Sequence, residues 1–285
     1  MYRHLEHFTF VFYQTFLNRF VDYFASMFNL LYTPKYFTTQ YRKTNLSTTE
    51  TKIPKQLFLC YKHKRIPSKI IYALQQHNPH YKITLFDDKE CSEFIHKKFG
   101  KSLGDVFDNI KDGPIKADLF RVCILYENGG VYSDIDNTIT RPIDDIIQPG
   151  VTFGIGASHQ PNQLNPAFLF TTKKNPLLLE FIECYNNVIC KIPYAYWDYS
   201  IVYVSSYVLQ SYMRIENKSQ TIQVYNQSIQ LFKEEFEYSL LDVWCFMINP
   251  NHNLLKYVYL YNHKNEPIIQ LHSELYDSGN HSFIE

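Results

Sequence analysis

From residue 53 onward, apolar and polar positions divide the chain into strand-sized and helix-sized pieces. A short apolar run at 55–61, containing Leu57, Phe58 and Leu59, predicts a first buried strand. Residues 67–77 fit a helix, 81–86 a strand and 89–99 another helix. Strands alternating with helices predict a parallel-type α/β sheet, in which ligands bind beyond the carboxyl ends of the strands. Later segments read as strands at 151–157 and 167–171, then a helix at 174–189 with Leu178, Phe181, Ile182 and Tyr185 inward. Ser205 and Ser206 lie in a helix-like run, and 222–225, 242–248 and 268–271 are strand-like. An aromatic loop at 193–199 offers ring faces for core packing or for a sugar.

Residues 1–35 follow a different pattern. Phe8, Phe12, Phe16, Phe20, Phe24 and Phe28 recur every four residues, a step that drifts around a helix and leaves no straight stripe. Arg19 and Asp22 leave uncharged runs of twelve residues on either side, short of the roughly 20 that span a bilayer. The segment is therefore expected to dock on its own domain, touch a membrane surface or form a homodimer contact. It lacks the basic start and small-residue cleavage site of a secretory leader. Residues 36–52 are polar and threonine-rich, a linker, and a catalytic domain is expected over 53–285.

Lys+Arg and Asp+Glu both number 28, so no basic field attracts nucleic acid. The six cysteines have no CxxC spacing and read as reduced. Together these predict a cytoplasmic or membrane-peripheral protein with no transmembrane span.

The chemistry concentrates in 112–143. Pro114 after Asp112-Gly113 suits a helix start. Leu119, Val122, Cys123 and Tyr126 recur at helical spacing, while Asp118 and Arg121, three apart, sit side by side on another face. Gly129-Gly130 supplies a helix stop and a sharp corner. Val131-Tyr132-Ser133 reads as a brief strand whose continuation, by period-two alternation, puts the carboxylates of Asp134 and Asp136 on one side. Two such oxygen ligands suit Mg²⁺ or Mn²⁺. The plain alternative for Asp118 and Arg121 is a simple helix-surface ion pair.

The combination of Lys116–Arg121, Leu125-Tyr126, Gly129–Asp136 and Arg141-Pro142-Ile143 resembles the DXD-containing glycosyltransferases of family 32. The resemblance implies a GT-A type nucleotide-sugar-binding fold, a Rossmann-like mixed sheet flanked by helices. It implies a metal-dependent, retaining hexosyl transfer from a nucleotide sugar to a glycan or glycolipid. Asp118, Arg121, Asp134 and Asp136 would be catalytic. Asp118, Arg121, Gly130, Tyr132, Ser133 and Asp134 would meet the donor, and Asp134, Asp136 and His272 would hold Mn²⁺ or Mg²⁺. Asn165-Pro166-Ala167 resembles the segment near the sugar and acceptor, and His281 is a second candidate for the late histidine. Ser133 before the DXD matches the mannosyltransferase branch, which favours GDP-mannose slightly over a UDP-hexose. A hydrolase would need carboxylates flanking the scissile bond, a poorer match to this adjacent pair. A non-catalytic sugar- or nucleotide-binding scaffold of the same fold is the alternative.

Overall fold

A computed structural model describes residues 52–66, 68–159, 162–188, 200–238 and 256–271. The segment 1–35, the loop 193–199, the expected strand at 242–248, His272 and His281 lie outside the described residues. Contacts divide the chain into two units, Met1–Thr44 with Tyr238–Lys256 and Asn45–Glu237 with Tyr257–Glu285. All described residues but Tyr238 and Lys256 belong to the second.

Leu57 and Leu59 have no exposed surface and Phe58 has 4%, so strand β1 (Gln56–Cys60) is covered on both faces. A strand that reads as a continuous apolar run is a central one, with neighbours above and below the sheet. The chain continues through α1 (Ser68–His77), β2 (Lys82–Phe86), α2 (Asp88–Phe99), α3 (Lys101–Asn109) and α4 (Gly113–Asn128). It then forms β3 (Gly130–Ser133), β4 (Thr138–Ile139), α5 (Ile143–Ile146), β5 (Phe153–Ala157) and β6 (Leu164–Thr171). Helices α6 (Pro176–Val188) and α7 (Ile201–Gln210) precede strands β7 (Gln220–Val224), β8 (Gln227–Tyr238), β9 (Lys256–Tyr261) and β10 (Pro267–Leu271).

The strands form one sheet in the order β2-β1-β3-β6-β5-β8-β9-β10-β4, with β7 beside β8. Parallel pairing joins β1 to β2 and β3, and β5 to β8. Strand β6 runs antiparallel to both β3 and β5. The sheet is therefore mixed, where strand–helix alternation alone predicts a parallel one. The reason is local: β5 returns directly into β6 through 158–163, too short for a crossover helix. With α4 packed on β1, β3 and β6, this is the α/β architecture expected of a GT-A type fold.

The register fixes the site. Strands β2, β1, β3, β5 and β8 point the same way, so Cys60, Phe86, Ser133 and Ala157 end at one edge. Beneath that edge the rings of Phe168, Phe170 and Phe232 pack at 5.8–6.2 Å between centroids. Gly154 leaves room for the Phe170 ring, which would lie 2.1 Å from a Cβ there.

Candidate active site

Helix α4 starts where Asp112 Oδ1 accepts a hydrogen bond from the Ile115 N–H at 3.1 Å, with Pro114 in the first turn. Leu119, Phe120, Val122, Cys123, Ile124 and Leu125 are each at most 1% exposed, so the helix is buried around its whole circumference. Asp118 and Arg121 are carried inside with them, at 6% and 4% exposure. Their pairing is therefore not a surface one.

The two charges are satisfied by several elements at once. Arg121 Nη2 lies 3.0 Å from Asp118 Oδ1 and 3.0 Å from Asp134 Oδ1. Arg121 Nη1 donates to the Pro166 carbonyl at 2.7 Å, and its guanidinium carbon sits 4.7 Å from the centre of the Tyr132 ring. The other oxygen of Asp118 accepts from the Ile201 N–H at 2.9 Å, at the first residue of α7. Ser200 makes no side-chain cap there, so a carboxylate from another helix takes that place and the helix N-terminus favours its charge.

At the far end of α4, Gly129 and Gly130 have φ of 65° and 103°. A Cβ at Gly129 would stand 2.6 Å from the Lys173 amide, and one at Gly130 2.7 Å from the Gln56 carbonyl. The corner thus needs glycine both for its backbone angles and for close approach.

Strand β3 stops at Ser133. The aspartates lie in a turn, closed by the Asn137 N–H donating to the Asp134 carbonyl at 3.2 Å. Strand alternation consequently does not govern the two carboxylates; in the turn the Asp134 charge is near enough to act on Asp136. It is pinned by the Asp134 N–H donating to the Ala167 carbonyl at 2.9 Å, and by Asn137 Nδ2 donating to the same carbonyl at 2.8 Å and to Ser133 Oγ at 3.1 Å.

Electrostatics separate the members. Burial pushes the Asp118 carboxyl up to about 7, against the pull of Arg121 and the Ile201 N–H. Burial raises Asp134 as well, with Arg121 opposing. Burial works against the Arg121 cation, but Asp134, Tyr132 and Asp118 around it hold its pKa above the ordinary range. Asp136 is pushed up to about 7 by burial and then by the neighbouring Asp134 charge. Among the described residues it has no ion-pair partner.

Residues 67–151 match the family described as the glycosyltransferase sugar-binding region containing DXD motif. That match covers under a third of the chain. Over 72 residues it is 35% identical to the initiation-specific alpha-1,6-mannosyltransferase of Candida albicans, covering 25% of this chain and 19% of that protein. Over 98 residues it is 35% identical to the mannosyl phosphorylinositol ceramide synthase of Saccharomyces cerevisiae, covering 33% and 25%. Inositol phosphoceramide mannosyltransferase 1 of Schizosaccharomyces pombe is 27% identical over 138 residues, covering 46% of this chain and 42% of the relative. The chain thus spans less than half the length of each of these relatives. A solved structure, the PaToxG glycosyltransferase, superposes with a TM-score of 0.41 at 16% identity over 56% of this chain and 68% of that one, too distant to carry an argument.

Within the matched residues, the structure joins Asp118, Arg121, Tyr132, Ser133 and Asp134 in one bonded cluster, with Asp136 two residues further along the turn. Gly130 is not brought there. It begins β3, four residues before Asp134, about 13 Å along a strand. Ser133 Oγ donates to the Asp134 carbonyl at 3.1 Å, and the Tyr132 hydroxyl contacts Cys60 Sγ at 3.1 Å. Both side chains are buried and hold the turn from beneath. The Asn165-Pro166-Ala167 segment singled out from the sequence meets the cluster through its backbone carbonyls. Sequence reasoning missed Asn137 and the Ile201 amide; the asparagine directly after the DXD offered a signal, and a backbone amide carries none.

No group of three or more His, Cys, Asp or Glu forms a metal cluster among the described residues. The pair present nevertheless fits a hard divalent ion. Asp136 is a half-buried carboxylate beside a second one, with no ion-pair partner among the described residues, and Mg²⁺ or Mn²⁺ accepts two carboxylates and completes its shell with water and phosphate oxygens.

Proposed function

We propose that the chain is a metal-dependent, retaining glycosyltransferase that moves a hexose from a nucleotide sugar to a glycan or glycolipid. The observation that carries this reading is the carboxylate turn at the strand edge, where Arg121 holds Asp134 and Asp136 has no ion-pair partner among the described residues. Bound Mn²⁺ or Mg²⁺ would supply Lewis-acid neutralisation of the leaving diphosphate. Asp136 and Asp134 would hold it; His272, the third ligand we propose, lies outside the described residues.

Arg121 offsets one of the two like charges and fixes the Asp134 rotamer, so the turn meets the ion already oriented. Asp118 holds Arg121 in place and is held in turn by the start of α7. Exposures of 6% and 4% support positioning roles for Asp118 and Arg121 ahead of direct contact with donor hydroxyls. The relatives named as mannosyltransferases support GDP-mannose as the first donor to test, before the UDP-hexoses. Two are named for phosphorylinositol or inositol-phosphate ceramides, which supports a glycolipid acceptor met at a membrane surface, with residues 1–35 as the contact. No helix among the described residues is long and apolar enough to cross a membrane.

The test is Mn²⁺-dependent turnover of GDP-mannose, UDP-galactose, UDP-glucose and UDP-N-acetylglucosamine, with Asp136→Ala as control and the product anomer read by NMR. Turnover of one donor that disappears in the variant supports the transferase. Donor binding without turnover in the presence of glycan and inositol-phosphate glycolipid acceptors would favour the scaffold.

A further inference from the structure

Outside the carboxylate turn, the most heavily bonded buried charge is Glu234. It lies in β8, just past Lys233, which pairs with the last residue of β5, and it is 5% exposed. Its Oε2 accepts from Ser158 Oγ at 2.9 Å, the His159 N–H at 2.7 Å and His159 Nδ1 at 2.8 Å. Its Oε1 accepts from Asn165 Nδ2 at 2.7 Å. Asn217 braces the Glu234 backbone from both sides: its Nδ2 donates to the carbonyl and its Oδ1 accepts from the N–H, each at 2.9 Å. Burial alone would raise the Glu234 pKa, but these donors, His159 first, hold it below the ordinary range. So strongly bound a carboxylate is a fixed acceptor.

Asn165 passes that fixed point on. Its Oδ1 accepts from the Ala167 N–H at 3.0 Å. The amide is therefore pinned at both ends: Glu234 can only accept and the Ala167 N–H can only donate, so one of the two flips is excluded. Register explains why this matters. Between β5 and β6, Ile155 faces Leu169 but the next residue, Gly156, faces Asn165, so residues 166–168 arch away from β5. A Cβ at Gly156 would meet the Asn165 carbonyl at 2.7 Å, which shows how closely the foot of the arch is seated. The crest carries the carbonyls of Pro166 and Ala167, which hold Arg121, Asp134 and Asn137.

We propose that Glu234 is a positioning residue for the carboxylate turn, acting through the Asn165 amide and the 166–168 arch. This rests on the reading of that turn as the metal and donor site. A neutral amide at position 234 presents a donor where Asn165 also presents one. Asn165 cannot escape by flipping, because its other end faces the Ala167 N–H, so the arch loses its anchor and the turn its two carbonyls in register. The complementary change at Asn165 restores acceptance at both contacts.

The test is a cycle of Glu234→Gln, Asn165→Asp and the double variant in the full chain. Mn²⁺ affinity is read by electron paramagnetic resonance without donor, and KM and kcat for GDP-mannose or whichever donor turns over. Each single variant should bind Mn²⁺ about tenfold more weakly, the loss expected when support behind a metal ligand is removed. KM should rise more than kcat falls. The double variant should return to within about twofold of the parent, a recovery that general loss of packing would not give. Ser158→Ala, which removes a donor to Glu234 but leaves Asn165 linked, should bind Mn²⁺ like the parent. If a single variant does not fold, Asn165→Ala removes the link without a mismatch and should show the same weakening. Single variants equal to an active parent, or a double variant weaker than both, would overturn the role of Glu234 alone. A parent that binds neither Mn²⁺ nor any nucleotide sugar would remove the functional reading and this inference with it.

Discussion

Two neighbouring helices each carry an acid and a base at helical spacing, and they differ in nearly everything else. In α3, Lys101 and Asp105 pair at 2.6 Å with side chains 84% and 45% exposed. In α4, Arg121 and Asp118 pair at 3.0 Å with side chains 4% and 8% exposed. Water screens the first pair, so it contributes a few tenths of a kcal/mol. The second pair has lost its hydration, and removing one partner strands the other, at about 3–5 kcal/mol. Spacing specifies which side chains meet. The surroundings decide what the meeting is worth: in α3 the buried residues Leu103, Gly104 and Phe107 leave Lys101 and Asp105 on the exposed side, whereas in α4 six apolar residues between positions 119 and 125 carry the pair inside.

The strongest way to break the contrast is Arg121→Met. It leaves Asp118 and Asp134 facing one another in the interior, and chemical denaturation should show a loss of about 3–5 kcal/mol together with loss of turnover. Arg121→Lys should recover only part, because one ammonium cannot serve Asp118, Asp134 and the Pro166 carbonyl in the planar geometry of the guanidinium.

Asp136→Asn separates activity from stability at the same site. Metal-dependent turnover should fall by at least a hundredfold, while the metal-free melting temperature stays equal or rises by about 2–4 °C. The sign follows from the raised pKa: ionised Asp136 disfavours the metal-free fold, so an amide relieves it. A lower melting temperature would mean that the carboxylate is already satisfied within the protein.

Acid titration sharpens the comparison with a buried carboxylate of the opposite kind. The folded pKa of Glu234 is depressed, so its stabilisation is complete above the unfolded glutamate range, about 4.3. It is lost as pH falls through the folded value. Glu234→Gln should therefore flatten the acid limb of the stability profile below about pH 4.5. The smallest effect belongs to the exposed pair: Lys101→Ala should change stability by less than about 0.5 kcal/mol, with kinetics unaltered.

Much of this was legible in the sequence. The first strand, α1, α6 and the glycine corner fall where apolar spacing and turn residues put them, and Leu178, Phe181, Ile182 and Tyr185 are all buried. The DXD was visible, but its geometry was not. Asp134 and Asp136 reach one place through a turn closed by Asn137, where alternation along a strand would have used a different arrangement. Strand β8 was missed because Lys233, Glu234, Glu235 and Glu237 break its apolar pattern, and the burial of Glu234 depends on donors from three distant segments. The start of α2 was readable in hindsight: Asp87 and Glu90 form a reciprocal capping box, one residue before the expected helix.

The two-residue strand β4 follows the carboxylate turn directly, and among the described residues it pairs with β10. Ile139 pairs with Ile269, some 130 residues later. Before the turn, β3 has β1 on one side and waits for β6 on the other; after it, β4 waits for β10, although the chain just beyond is already held where the Ile143 N–H donates to Asn78 Oδ1 and Asp144 accepts from the Tyr81 hydroxyl. At the 5–20 residues per second typical of translation, that interval is on the order of ten seconds. A nascent chain therefore carries its acidic turn without that flanking pair while about 130 further residues are made, and the pair is completed by the last of the described strands to leave the ribosome.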